Sequence, residues 1–291
     1  MSLLQVSLAC LSSIHKLYQR ALSLKAPSTT IRSPIAPMIF GWTILAIIPA
    51  ILLLLNTSLF PLIALDSTLA NALFWLTSTG TAPYGVATVL LVLFQSYQRL
   101  SKPQFISLFL AISLGMCTTL TLNSYLKPHF NEPRPNAVWL ESQYLLNTDN
   151  FYSLPKTQRK VEMSSALDRL EHAHSDLTLS PLVKQHWKHE VGFSFPSGHT
   201  LFALTLTMIT SYYLLLAGNV FIPGMLFIWS IGMGFSRMLL GMHWSQDVLA
   251  STALGGVIGL VSIFVVNQAF PYLNNFYSAL MKNRKKLENT R

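Results

Sequence analysis

Charge is what this 291-residue chain has least of: Asp, Glu, Lys and Arg make up 11% of it. An ordinary soluble domain carries about 25%. That shortfall excludes a disordered tail, a fibrous repeat and a typical cytosolic enzyme. Cysteine is nearly absent, and Cys10 and Cys117 fit neither a disulfide framework nor a zinc-ligand spacing. Acidic residues are scarce, 11 against 20 Lys and Arg, for a formal net charge of +9. A basic surplus serves either nucleic acid or an anionic membrane surface, and its placement decides which. No RNA- or DNA-binding motif is visible. What is abundant is apolar: 51% of the residues are hydrophobic.

The apolar residues come in long charge-free runs: Ala36 to Leu55, Ser67 to Gln98, Phe105 to Leu126, Thr200 to Ser236 and Val248 to Met281. A membrane-crossing helix needs about 20 such residues. The run from Thr200 is too long for one crossing, and Ala217-Gly218-Asn219 with Pro223-Gly224 supplies a turn within it. In the run from Ser67, the polar stretch Thr77 to Pro83 separates a short interfacial piece near 68–79 from one span. Six spans follow, near 37–58, 83–98, 104–126, 199–217, 221–238 and 246–268. The predicted fold class is therefore all-α, a polytopic bundle of six transmembrane helices with a small helical cap.

Short-loop Lys and Arg orient such a bundle. Lys16, Arg20, Lys25 and Arg32 precede the first span. Arg99 and Lys102 lie between the second and third. Lys282, Arg284, Lys285, Lys286 and Arg291 follow the last. Both termini are thus expected in the cytoplasm, which accounts for eleven of the 20 basic residues without nucleic acid. The expected organisation is a cytoplasmic leader over 1–35, read as an interfacial helix, then spans one to three over 36–126. A cap over 127–198, spans four to six over 199–270 and a basic tail over 271–291 complete it. Parity places the cap outside the cytoplasm, and a helix is predicted within it over 155–175.

Three polar motifs interrupt helix ends on that same face. Lys127 to Pro135 follows span three, Pro196-Ser197-Gly198-His199 opens span four, and Ser236 to Asp247 joins spans five and six. Ionisable groups at a membrane are costly and point to function. Lys127, Arg134 and Arg237 are three cations able to converge on one polyanion, and the Arg fork suits phosphate oxygens. Pro196-Ser197-Gly198 leads into a helix whose first N–H groups favour an anion. Asp247 stands four residues after His243, about one helical turn, where a carboxylate can orient the imidazole. His199 is a second imidazole, able to protonate a leaving oxygen. Cations, an oriented nucleophile and an acid are what phosphoryl transfer requires.

Lys-x6-Arg-Pro, Pro-Ser-Gly-His and Ser-Arg-x3-Gly-x-His-x3-Asp, in this order, resemble the signature motifs of the type 2 phosphatidic acid phosphatase family. The resemblance covers roughly residues 36–270. It implies His243 as the nucleophile forming a phosphohistidine, Asp247 orienting it, and His199 as proton donor. It implies Lys127, Arg134, Ser197, Gly198 and Arg237 as the phosphate-binding set, with no metal and no cofactor. The implied partners are a lipid phosphate and the bilayer, without nucleic acid or an obligatory protein partner. The implied substrates are phosphatidylglycerophosphate, undecaprenyl diphosphate and phosphatidic acid, met at the periplasmic face of a bacterial inner membrane. A lipid phosphotransferase of the same fold, or a non-catalytic lipid-phosphate transporter, would use the same cations.

Other features read more plainly. His172, His174, His186 and His189 are expected as solvated loop histidines, since no set of neighbours completes a metal site. His129 is expected at the surface. Gly255 and Gly259 in span six suggest a helix-packing face, and the six tryptophans suggest interfacial anchors or packing.

Overall fold

A computed structural model describes residues 33–173 and 178–288. Most of the predicted leader and His174 lie outside the described residues. Among these there are α-helices and no strands: α1 (Ile35–Leu54), α2 (Thr68–Ser78), α3 (Tyr84–Tyr97), α4 (Lys102–Phe130), α5 (Pro135–Ser142), α6 (Thr148–Ser153), α7 (Lys156–Ala173), α8 (Pro181–His189), α9 (Gly198–Leu216), α10 (Phe221–Leu239) and α11 (Ser245–Glu288). Five helices (α1, α4, α9, α10 and the first part of α11) are long and apolar enough to cross a membrane.

The sixth expected span is α3, apolar but only 14 residues long. That is about 21 Å, short of a hydrocarbon core of about 30 Å. The missing length is the polar turn that begins at Thr79, and Gly80, Thr81 and Ala82 line a cavity there. Irregular backbone is tolerated at membrane depth only where it lines a cavity or is buried in protein.

Local sequence sets the helix ends. Ser101 and Gln104 form a capping box at the start of α4, with Pro103 in the first turn. Asn131 closes the helix in the left-handed conformation. Ser180 caps α8 and Ser197 caps α9 through their hydroxyls. Gly218, at φ +79°, turns the chain between α9 and α10.

Helix α9 is the axis of the bundle. It packs against α4, α10 and α11, and most of its side chains are buried. Small residues permit the approach. A Cβ at Gly259 would fall 2.8 Å from Cβ of Met208, and one at Gly255 would fall 3.1 Å from the Leu201 carbonyl. The expected packing face is thus an α9–α11 seam. The outer faces of α1 and α3 expose Ile47, Ile51, Leu90, Leu91 and Phe94, the pattern of helices solvated by lipid.

Helices α5 to α8 form the cap, with α7 over the expected helical stretch. The cap has its own core, in which Leu140, Met163, Leu167, Leu170, Val183 and Trp187 meet Leu240 and Met242 from the turn after α10. Phe60, Trp139 and Trp187 pack edge to face, and the indole of Trp187 donates to the Leu240 carbonyl at 2.9 Å. The cap is therefore seated on the very turn that carries the third motif.

Candidate active site

The three motifs meet beneath the cap. Gly241 sits at φ +69°, and a Cβ there would fall 2.8 Å from the Phe60 ring. Only glycine meets both demands, which explains that position of the third motif. The turn after α10 closes on itself, with the backbone N–H groups of Met242 and His243 donating to the Arg237 carbonyl. It is tied to the first motif and to the residue that follows it. Asn136 N–H donates to the Gly241 carbonyl, and the Trp244 indole donates to the Pro133 carbonyl at 2.8 Å.

A cavity of about 590 Å³ opens at this junction, and Lys127, Arg134, Glu190, Gly198, His199 and His243 all line it. Five of the eight sequence-predicted site residues thus share one chamber. Its membrane side is apolar, with Val89, Leu90, Met116, Leu120 and Phe202.

His243 is buried, and its Nδ1 lies 3.1 Å from Oδ2 of Asp247. The pair does not stand one turn apart on a single helix, as the four-residue spacing suggests. His243 precedes α11, and Asp247 reaches back from its first turn, also accepting the Trp244 backbone N–H at 3.0 Å. The hydroxyl of buried Ser194 donates to the same carboxylate oxygen. Burial, reinforced by Arg134, Arg237 and Lys127, holds the His243 imidazole well below its ordinary range, so it is neutral at pH 7. Nε2 of His199 is buried without a hydrogen-bond partner among the described residues.

The cations are held differently from one another. Lys127 donates to the carbonyls of Phe193 (2.8 Å) and Ser194 (3.2 Å). Arg134 donates to the Gly192 carbonyl at 2.8 Å and pairs with Glu190 at 2.9 Å, while its backbone N–H donates to the Tyr152 hydroxyl. Arg237 does not line the cavity. It is wholly buried behind it, with Nη1 donating to Thr77 Oγ1 at 2.9 Å and to His186 Nε2 at 2.8 Å. Glu190 lies 3.9 Å from its Nη2, and Nε and Nη2 have no hydrogen-bond partner among the described residues. Ser197 is likewise wholly buried as the cap of α9, leaving Gly198 to face the chamber.

Three participants were not singled out by the motifs: Glu190, Ser194 and His186. Burial alone would push the Glu190 carboxyl up, but Arg134 and Arg237 outweigh it and hold the group well below the usual carboxylate range. His186 corrects an expectation. It is buried against Phe74 and Arg237, not solvated, and burial with the Arg237 charge lowers it to about 3. His172, His189 and His129 are exposed as expected.

This architecture, a helical membrane bundle with two buried imidazoles and several cations at one capped end, is that of a membrane phosphatase, and the comparisons agree. The chain belongs to the PAP2 superfamily, which matches residues 105–271. It is a PAP2 phosphatase related to phosphatidylglycerophosphatase B. It is 29% identical to phosphatidylglycerophosphatase B of Escherichia coli (strain K12) over 205 residues, covering 70% of this chain and 78% of that one. It is 32% identical to phosphatidylglycerophosphatase B of Haemophilus influenzae over 205 residues, covering 67% of this chain and 83% of that one.

Proposed function

We propose that this protein is a lipid phosphate phosphatase that converts phosphatidylglycerophosphate to phosphatidylglycerol through a phosphohistidine, and that it also accepts undecaprenyl diphosphate and phosphatidic acid. The observation that carries the reading is the pairing of His243 with Asp247 at a cavity that Lys127, Arg134 and His199 share.

In the first step Nε2 of neutral His243 attacks phosphorus. The P–N bond forms as the P–O bond to the lipid breaks, and His199 passes a proton to the leaving oxygen. Asp247 accepts from Nδ1–H and stabilises the positive charge that develops on the ring. Lys127 and Arg134 neutralise the phosphoryl oxygens, Arg237 adds its charge from behind, and the first N–H groups of α9, capped by Ser197 and starting at Gly198, face the same anion. In the second step His199 removes a proton from water, which attacks phosphorus and releases inorganic phosphate from His243. The apolar side of the cavity suits the lipid chain.

The basic residues flanking the spans favour a periplasmic site on an inner-membrane protein, since Arg99 and Lys102 lie at the opposite end of α3 and α4 from the cavity. The test is phosphate release by purified protein in detergent from the three lipids side by side, with and without chelator. Release from phosphatidylglycerophosphate, unaffected by chelator and abolished by His243→Ala, is expected. Turnover of none of the lipids, or dephosphorylation without free phosphate, would overturn the reading.

A further inference from the structure

Lys127, Asn123 and Thr119 stand on successive turns of one face of α4, about 6 Å apart along the axis, and all three line the cavity. Two of the three are occupied. Lys127 donates to the carbonyls of Phe193 and Ser194, and the Thr119 hydroxyl donates to the Met116 carbonyl at 2.9 Å. The third is not: Oδ1 of Asn123 is buried and has no hydrogen-bond partner among the described residues. A carboxamide oxygen only accepts, so it calls for a donor.

Position says which donor. The Asn123 amide rests against Gly198, where a Cβ would fall 3.2 Å from its Nδ2 and 3.4 Å from its Oδ1. Gly198 immediately precedes His199, the group assigned above to protonate the leaving oxygen. Asn123 is also one turn to the membrane side of Lys127, between the phosphate end of the chamber and its apolar wall of Met116, Leu120 and Phe202. A lipid whose phosphate meets Lys127 and whose chain lies on that wall would set its first carbons beside Asn123.

We propose that Asn123 recognises a free hydroxyl on the carbon next to the phosphoester methylene, and so favours lipid phosphates whose leaving group carries one. The inference rests on the lipid phosphatase reading. Phosphatidylglycerophosphate has that hydroxyl on its headgroup glycerol, and 1-acyl lysophosphatidic acid has it at the vacated acyl position. Phosphatidic acid has an ester there, which cannot donate and leaves the amide oxygen unpaired. A site built to bond a substrate hydroxyl discriminates against the analogue without it.

The test is kcat/KM on these three lipids for the wild type, Asn123→Ala and the near-isosteric Asn123→Leu. Both variants should lose about tenfold on the two hydroxyl-bearing lipids and less than about threefold on phosphatidic acid. Retained phosphatidic acid turnover in the same preparation reports the fold. Equal losses on all three lipids, or no loss on the hydroxyl-bearing pair, would overturn the assignment to Asn123 alone. A wild type that dephosphorylates none of them would instead overturn the phosphatase reading itself.

Discussion

Nη1 of Arg237 donates to Nε2 of His186 across 2.8 Å, with both side chains buried. Arg237 comes from the bundle and His186 from the cap, so the contact binds a cation buried behind the cavity to the element that roofs the site. His186→Ala leaves a buried guanidinium short of an acceptor, at a cost of about 2 kcal/mol, and should lower the melting temperature in detergent. His186→Gln retains an acceptor and should recover much of the loss.

The same pair has a pH signature. The unfolded chain takes up the imidazole proton as pH falls through its ordinary 6.5, while folded His186 resists until about 3. Its share of stability is therefore whole above pH 6.5 and lost progressively below. Melting temperature against pH should decline between 6.5 and 5 in the wild type. His186→Gln should flatten that decline.

Asp247 receives His243, Ser194 and the Trp244 backbone on one carboxylate oxygen. Asp247→Asn removes the charge and frees the imidazole to take the wrong tautomer. A loss of kcat between about 10² and 10⁴ is expected, with KM little changed. Ser194→Ala removes one support and should cost about tenfold in kcat.

The seam between α9 and α11 is a separate matter of volume. A Cβ at Gly259 would stand 2.8 Å from Cβ of Met208, so Gly259→Ala must part the two helices. A destabilisation of about 1–3 kcal/mol is expected, read as a lower melting temperature with the substrate panel otherwise preserved in rank.

What could be read from the chain was what short spacing and helix ends control. The long apolar runs, the cap helix at 156–173 and the motif positions of Lys127, Arg134, His199 and His243 required only local geometry. The motifs name Arg237 and Ser197 but not where they stand, because whether a side chain lines a chamber or stands behind its wall depends on packing. Glu190, Ser194 and His186 act only once the cap closes on the bundle, and no spacing rule brings them there. A signal for Glu190 exists in general terms only: three cations near a membrane call for a counter-charge, and both Glu132 in the first motif and Glu190 before the second could supply it.

In the proposed reaction His243 carries the phosphoryl group. The direct measurement is covalent label on the protein after mixing with lipid radiolabelled in its terminal phosphate and quenching in alkali, where phosphohistidine survives. Label that is lost in acid and absent from His243→Asn is expected. Turnover by His243→Asn at the wild-type rate, or label undiminished in that variant, would contradict it.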